Sequence, residues 1–338
     1  MNARVEVQDA MREFGDVLRL AGLVLDGLPE MDDRLHRVKA EGDSGRERSG
    51  AYVGHLDGWP AGYVQNFRAG IRRNWKYSKG GIQLSERERR QLQAETKRRQ
   101  EAREAERLRL HERMAGRLYR MIGAGGFRAA PEDHPYLVAK GLTAGPRPLM
   151  DRQGNLAILA YDIAGKLWSM QRIAPDGEKR FLRDGRVNGL HHPMRSRGWK
   201  YFDGRRPLVI AEGWATGETI VRLTGVTVVV AFSSWNLEAV ARDFRTRYPH
   251  ARIVIAGDND HRKPLEIGPD GQPKKNAGRE AALAAAQAVN GYALLPEFEP
   301  EDEGSDWNDR MRSFGAAQVR DELLAGLEAA ARVFDSAA

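Results

Sequence analysis

Cysteine is missing from all 338 residues of the chain, which rules out disulfides, thiol nucleophiles and every cysteine-ligated zinc or iron–sulfur centre, so no zinc is expected. Long apolar runs are missing too. The longest, Val226 to Phe232 interrupted by Thr227, falls far short of the roughly 20 residues that span a bilayer and reads as a buried strand; no membrane partner is expected. The first twenty residues carry Arg4, Asp9, Arg12, Glu13 and Asp16 where a secretory signal needs an unbroken apolar stretch, and the expectation is a cytoplasmic protein. There is no Gly-x-x-x-x-Gly-Lys-Ser/Thr segment, which excludes a helicase of the phosphate-loop class within this sequence. Internal repeats are absent.

What is present is charge, with a basic excess. Lys and Arg total 54 against 47 Asp and Glu, a net charge of +7, in a chain that is 41% hydrophobic and 30% charged. That balance fits a globular protein with a polyanionic partner. Its length suits two or three domains, and five segments differ in character. Residues 1–82 read as a small α+β module, with an amphipathic helix from Val5 to Leu20. Strands follow at Arg34–Val38, Gly50–Leu56, Ala61–Phe67 and Ile71–Tyr77, punctuated by Asp57-Gly58-Trp59-Pro60 and Arg68-Ala69-Gly70. Residues 83–122 form a charged helical linker in which Ser85 and Glu88 have capping-box spacing and opposite charges recur three or four apart. A solvated spacer and a nucleic-acid contact are both open readings of it.

Residues 123–204 read as a basic, strand-rich subdomain with a hairpin through Leu156–Asp162 and Lys166–Ile173, then a turn at Pro175-Asp176-Gly177. From residue 205 to 312 short apolar runs alternate with helices. Strands at Leu208–Ala211, Val226–Phe232, Arg252–Ala256 and Tyr292–Leu295 alternate with helices at Thr216–Leu223, Leu237–Tyr248 and Gly278–Val289. This pattern predicts a mostly parallel sheet flanked by helices, so the fold class is α/β. Residues 313–338 add a C-terminal helix.

In open α/β sheets ligands collect beyond the carboxyl ends of the strands. Two strands here end in acid: Ala211 is followed by Glu212-Gly213, and Ala256 by Gly257-Asp258-Asn259-Asp260. Three carboxylates leaving two strand ends suit Mg²⁺, which takes hard oxygen ligands and keeps some of its water. Taken alone, Asp258-Asn259-Asp260 could equally cap a turn or a helix.

Glu212-Gly213 after one strand and Asp258-x-Asp260 after another, about 45 residues on, resemble the Toprim domain shared by topoisomerases and bacterial primases. Glu212-Gly213-Trp214-Ala215-Thr216 is similar to the Glu-Gly-aromatic-Ala-Thr motif of primases carried by plasmids, integrative elements and satellite phages. The upstream segments His134-Pro135-Tyr136-Leu137, Lys140-Gly141-Leu142 and Asp176 to Leu182 look like the region that precedes Toprim in those primases. Asp306-Trp307-Asn308-Asp309 resembles the acidic ending of the subtype.

The resemblance implies a DNA primase that makes short RNA primers on single-stranded DNA from nucleoside triphosphates, in the service of a mobile element. It implies Mg²⁺ or Mn²⁺ held by Asp258 and Asp260, with Glu212 as a metal ligand or general base. Asp306 and Asp309 would be further ligands, or else a capped turn. Lys179, Arg180, Arg183 and Arg186 would bind nucleotide or template phosphates, and Phe181 would stack a base or fill a strand core. A separate helicase would unwind the duplex. A Toprim nuclease and a non-catalytic single-stranded DNA-binding accessory protein are the alternatives. His191-His192 beside Pro193 lacks a second ligand pair and reads as a turn or surface feature, while Trp214, Trp235 and Trp307 read as packing beside the cleft. Residues 261–275 are expected to form a loop near the acidic residues.

Overall fold

The computed structural model describes residues 7–43, 47–56, 58–79, 86–143, 147–194, 207–268 and 272–336. Val5, Asp57 and Ser85 of the expected helix start, turn and capping box lie outside them. The chain divides into two compact units between Arg103 and Glu104.

In the first unit, helix α1 (Val7–Leu20) is followed by strands β1 (Leu23–Val24), β2 (His36–Ala40), β3 (Gly50–His55), β4 (Ala61–Asn66) and β5 (Ile71–Lys76). Each strand pairs antiparallel with the next, in the order β1-β2-β3-β4-β5. Strand β4 alternates buried and half-buried positions, as a sheet with one covered face requires. Phe14 of α1 drives into that face and stacks on Trp75, with ring centroids 4.8 Å apart. A Cβ at Gly62 would lie 2.4 Å from the Phe14 ring, so only glycine lets the helix sit this close.

Helix α2 (Glu86–Gly123) is the charged segment, 38 residues long; among its described side chains, only Ala115 and Leu118 near its end are buried.

The second unit holds two sheets. After α2 come β6 (Phe127–Ala129), the short helix α3 (Pro135–Ala139), β7 (Leu149–Asp151), β8 (Leu156–Tyr161), β9 (Leu167–Ile173) and β10 (Lys179–Phe181). They form an antiparallel sheet in the order β10-β9-β8-β7-β6. There follow β11 (His192–Pro193), β12 (Pro207–Ala211), α4 (Trp214–Thr224), β13 (Thr227–Val230), α5 (Ser234–Arg247), β14 (Arg252–Ala256), α6 (Ala277–Ala288), β15 (Tyr292–Ala293), α7 (Trp307–Phe314) and α8 (Ala316–Ser336). The order of this sheet is β11-β13-β12-β14-β15, parallel except for β11.

Its strands read as continuous apolar runs because both faces are covered. Leu208, Ile210, Ile253 and Ile255 face Leu237, Val240 and Phe244 of α5 and Ala282 and Ala285 of α6. The intervening Val209 and Val254 join Ile220 of α4 and Val319 and Leu323 of α8 in a core that also takes Leu156, Ile158 and Ile173 of the antiparallel sheet.

Two expectations are corrected. His191 is not a surface residue: it is 4% exposed, exchanges backbone hydrogen bonds with Tyr161, and packs edge-on against Phe244. Burial, reinforced by the neighbouring His192, pulls its pKa down to about 4. His192 and Pro193 then form the antiparallel edge strand β11, with His192 Nδ1 2.8 Å from the Leu159 carbonyl. The terminal helix is also interrupted, because Gly315 adopts φ +90° and separates α7 from α8.

Candidate metal and nucleotide site

Strands β12 and β14 run parallel with Ala211 level with Ala256, so Glu212 and Asp258 leave the sheet side by side at its carboxyl edge. The Glu212 backbone N–H donates to Ala256 O at 3.2 Å. The Glu212 Oε2 is buried with no hydrogen-bond partner. Asp258 Oδ1 is in the same condition. Burial, then repulsion from Asp260, pushes the Glu212 pKa up against the opposing effects of the Ser234 N–H and the Lys179 ammonium. Asp258 is pushed well above its ordinary value by burial and by the charges of Glu212 and Asp306.

The loop that carries Asp258 and Asp260 is held from three directions. Asn259 donates from its backbone to Ser305 O at 2.7 Å and from its side chain to Pro296 O at 2.8 Å. Asn276, the N-cap of α6, accepts from the Asp260 N–H at 3.0 Å and donates to Asn259 Oδ1 at 2.8 Å. Helix α6 presses onto the loop through two glycines. A Cβ at Gly257 would meet Ala282 at 2.4 Å, and one at Gly278 would meet Asp258 O at 2.7 Å.

The acidic ending is divided between tasks. Asp306 caps α7 by accepting the Asp309 N–H at 2.8 Å, and its charge also raises Asp258. Asp309 is drawn away from the cluster: Oδ1 pairs with Lys140 Nζ at 3.0 Å, and Oδ2 accepts the Ser305 N–H at 3.2 Å. Between them Trp307 is buried, and Asn308 Nδ2 donates to Lys140 O and Thr219 Oγ1.

The basic residues do not form one patch. Lys179, on β10, has its Nζ 3.8 Å from where a Cβ of Gly213 would stand, next to Glu212, and its charge opposes the upward shifts of Glu212 and Asp258. Arg180 is exposed and pairs with Glu178 at 2.6 Å; Arg183 is exposed. The Arg186 guanidinium lies 5.3 Å from the Trp168 ring centre and donates to Asn188 O. Phe181 is half-buried and packs edge-on against Phe232, 5.2 Å between centroids. Of the tryptophans, Trp214 and Trp307 are buried and Trp235 is 60% exposed.

The residues present fit a hard divalent cation, because two neighbouring buried carboxylate oxygens have no partner and repel one another. They do not form a closed nest. Among the described residues, three ligand atoms within 4.8 Å of one another occur only at Glu30, Asp32 and His36 in the first unit. An open set suits a hard divalent cation that keeps part of its water.

Sequence reasoning missed Tyr136 and Thr216, whose buried hydroxyls also lack partners, and the two asparagines that fix the loop. Tyr136 and Thr216 lie in segments already marked by the resemblance, and Asn276 has the N-cap signature before a helix.

Residues 207–317 match the Toprim domain family model, so the mixed sheet with its acidic carboxyl edge is a Toprim domain. The chain is also similar to the DNA primase TraC of Escherichia coli: it is 40% identical to one form over 292 residues, 85% of this chain and 26% of that protein. To a second form it is 37% identical over 332 residues, 96% of this chain and 22% of that protein. The chain thus spans about a quarter of the length of these curated relatives. Among solved structures, the zinc-binding and RNA polymerase domains of the Aquifex aeolicus primase align over 94% of this chain and 84% of that one, at 12% identity and a TM-score of 0.36. No helix among the described residues is long and apolar enough to cross a membrane.

Proposed function

We propose that this chain is a DNA primase of mobile-element type, which joins nucleoside triphosphates into short RNA primers on single-stranded DNA by metal-dependent nucleotidyl transfer. The observation that carries the reading is the pair of unpartnered buried oxygens, Glu212 Oε2 and Asp258 Oδ1, at adjacent strand ends of a Toprim domain. The relationship to the TraC primases supports it.

Asp258, Asp260 and Glu212 would hold Mg²⁺ or Mn²⁺, with Asp306 able to offer an oxygen from its capping position. When bound, the cation would neutralise charge on the transferring phosphorus and on the departing pyrophosphate. As an alternative to binding the metal, Glu212, whose affinity for a proton burial raises, would serve in its carboxylate form as general base toward the attacking 3′-hydroxyl. Lys179 would take a phosphate of the incoming nucleotide. Arg180 and Arg183, exposed on and after β10, would follow the template backbone, a contact that confers affinity without sequence preference. Phe181, held by Phe232, would support that strand. Strand separation would come from a separate helicase.

The test is direct. Single-stranded DNA incubated with labelled ribonucleotides and Mn²⁺ should yield short RNA with the wild-type chain and none with Asp258→Ala. Shortened template would instead indicate a nuclease, and binding without either product an accessory protein. Either result, or full synthesis by Asp258→Ala, refutes the proposal.

A further inference from the structure

The antiparallel sheet of the first unit has a covered face and a second face built from a different kind of residue. Phe14 of α1 lies against Tyr52, Trp75, Gly54 and Gly62, so the alternate positions of each strand point the other way. The register fixes that second set. Arg37 of β2 is level with Ala51 of β3, then Gln65 of β4 and Arg72 of β5. Farther along, Tyr63 stands between Val53 and Asn74, and Ala61 between His55 and Lys76. Lys39 continues the face on β2, and Phe67 continues it beyond β4, its N–H donating to Ser49 O at 2.8 Å.

None of these positions is acidic. Arg37, Lys39, Arg72 and Lys76 are exposed, and among the described residues the ion pairs of this unit go elsewhere: Arg68 takes Asp43 and Glu47, Lys79 takes Asp9, and His55 at one end takes Asp33. The cations lean on flat groups instead. The Arg37 guanidinium lies 4.5 Å over the Phe67 ring, Lys76 Nζ lies 4.1 Å over Trp59, and Arg72 Nε is 3.1 Å from the Gln65 amide. Phe67 is 48% exposed. The four cations stand on the two outer strands, about 14 Å apart at three strand spacings, with Tyr63 and Phe67 between them.

We infer that this face binds single-stranded nucleic acid, with unpaired bases laid on Tyr63 and Phe67 and phosphates held by Arg37, Lys39, Arg72 and Lys76. It lies in the unit that holds no part of the acidic site, and it stands whether or not the chain makes primers. Rings set in a sheet surface can meet only bases released from a duplex, and cations flanking such rings follow a backbone without reading sequence. An acidic peptide would answer the charges and leave the rings unused. A lipid surface would need projecting apolar side chains, whereas Phe67 lies beneath Arg37.

The test measures binding to the full chain of labelled (dT)20, (U)20, a DNA duplex of the same length and polyglutamate. Arg37→Gln combined with Arg72→Gln should weaken single-strand binding about tenfold and lower its salt slope by about 1.4, at roughly 0.7 for each phosphate contact. Phe67→Leu keeps an apolar side chain and removes the ring; it should cost at least about fivefold, and Phe67→Tyr should bind as wild type does. Arg12→Gln, which removes an exposed cation on α1, should change nothing. Duplex and polyglutamate binding should be unaffected by all four changes. Loss on (dT)20, on (U)20 or on both supports the face, and the arm that responds names the strand.

Wild-type affinity in the double arginine variant or in Phe67→Leu overturns the inference. So does a loss that falls equally on the duplex or on polyglutamate. The two proposals can fail separately. Arginine-dependent binding of (dT)20 by a chain that makes no primers sinks the primase and keeps the face; primers made by an arginine variant with unchanged single-strand affinity do the reverse.

Discussion

Glu30, Asp32 and His36 in the first unit and Glu212 and Asp258 in the Toprim domain both crowd ionisable groups, yet they differ in how their charges are answered. Asp32 is exposed, and its carboxylate meets His36 Nε2 at 2.7 Å, which holds its pKa below the usual value. His36 is fixed from the other side by stacking on Tyr52. The first group thus satisfies itself at the surface, where such pairs contribute little. Glu212 and Asp258 are buried, mutually repelling and each short of one partner. Proximity of ligand atoms is greater in the first group, but unanswered buried charge is confined to the second. Unanswered charge is the better guide to where a cation is needed.

The comparison can be broken most sharply by Asp258→Ala, which should reduce primer synthesis by at least about a thousandfold, as loss of a group that stabilises transition-state charge does. His36→Asn should leave synthesis within about twofold of wild type, since the first group pairs internally. Equal losses in the two variants would erase the distinction.

Next in size is the effect on stability without metal. At neutral pH Asp258→Asn should raise the melting temperature, by several degrees for roughly 1 kcal/mol of relieved repulsion, and should abolish the further rise that Mn²⁺ gives the wild type. The corresponding Asp32→Asn variant should lower or not change the melting temperature, because it removes an attraction. Thermal melts with and without Mn²⁺ decide this.

The pH dependence sharpens the contrast. Asp258 and Glu212 have folded-state pKa values raised above their unfolded values, so the folded chain binds more protons between the two. Their contribution becomes more favourable as pH falls through that interval. His191 has the opposite sign. Its folded pKa of about 4 lies below its ordinary value of 6.5, so the unfolded chain takes the proton first and stability falls as pH drops from 6.5 to 4. The loss is on the order of 3 kcal/mol. Chemical denaturation across this range should show a shallower acid loss in His191→Gln than in wild type, and a steeper one in Asp258→Asn.

The smallest effect concerns the exposed cations. Arg180→Ala combined with Arg183→Ala should weaken single-stranded DNA binding severalfold and flatten its dependence on salt by up to one or two released counter-ions. An unchanged salt slope would remove these residues from the template path.

Strand ends carried most of what could be read in advance. Glu212 and Asp258 were legible because each stands beside a glycine at the end of an apolar run, and parallel pairing sets those two strand ends side by side. The alternating apolar runs and helices made the Toprim sheet legible for the same reason. Strands β6 and β7 were not, since three residues are too few for a period to show. His191 was misread because a polar pair before proline has the composition of a turn, whereas its burial depends on Phe244, 53 positions away. Thr216 and Tyr136 are apolar-compatible positions on helices, and only the fold reveals that their hydroxyls are left without partners. The division of labour between Asp306 and Asp309 depends on Lys140, which no local pattern connects to them.

That lysine has a mechanical meaning. Its side chain is gripped by Asp309 and its carbonyl by Asn308, while Asn308 also reaches Thr219 on α4. The rivet joins the loop after α3 to the helix that starts beside Glu212. It ties the segment between β6 and β7 to the acidic edge of the mixed sheet, so that the two are held as one body.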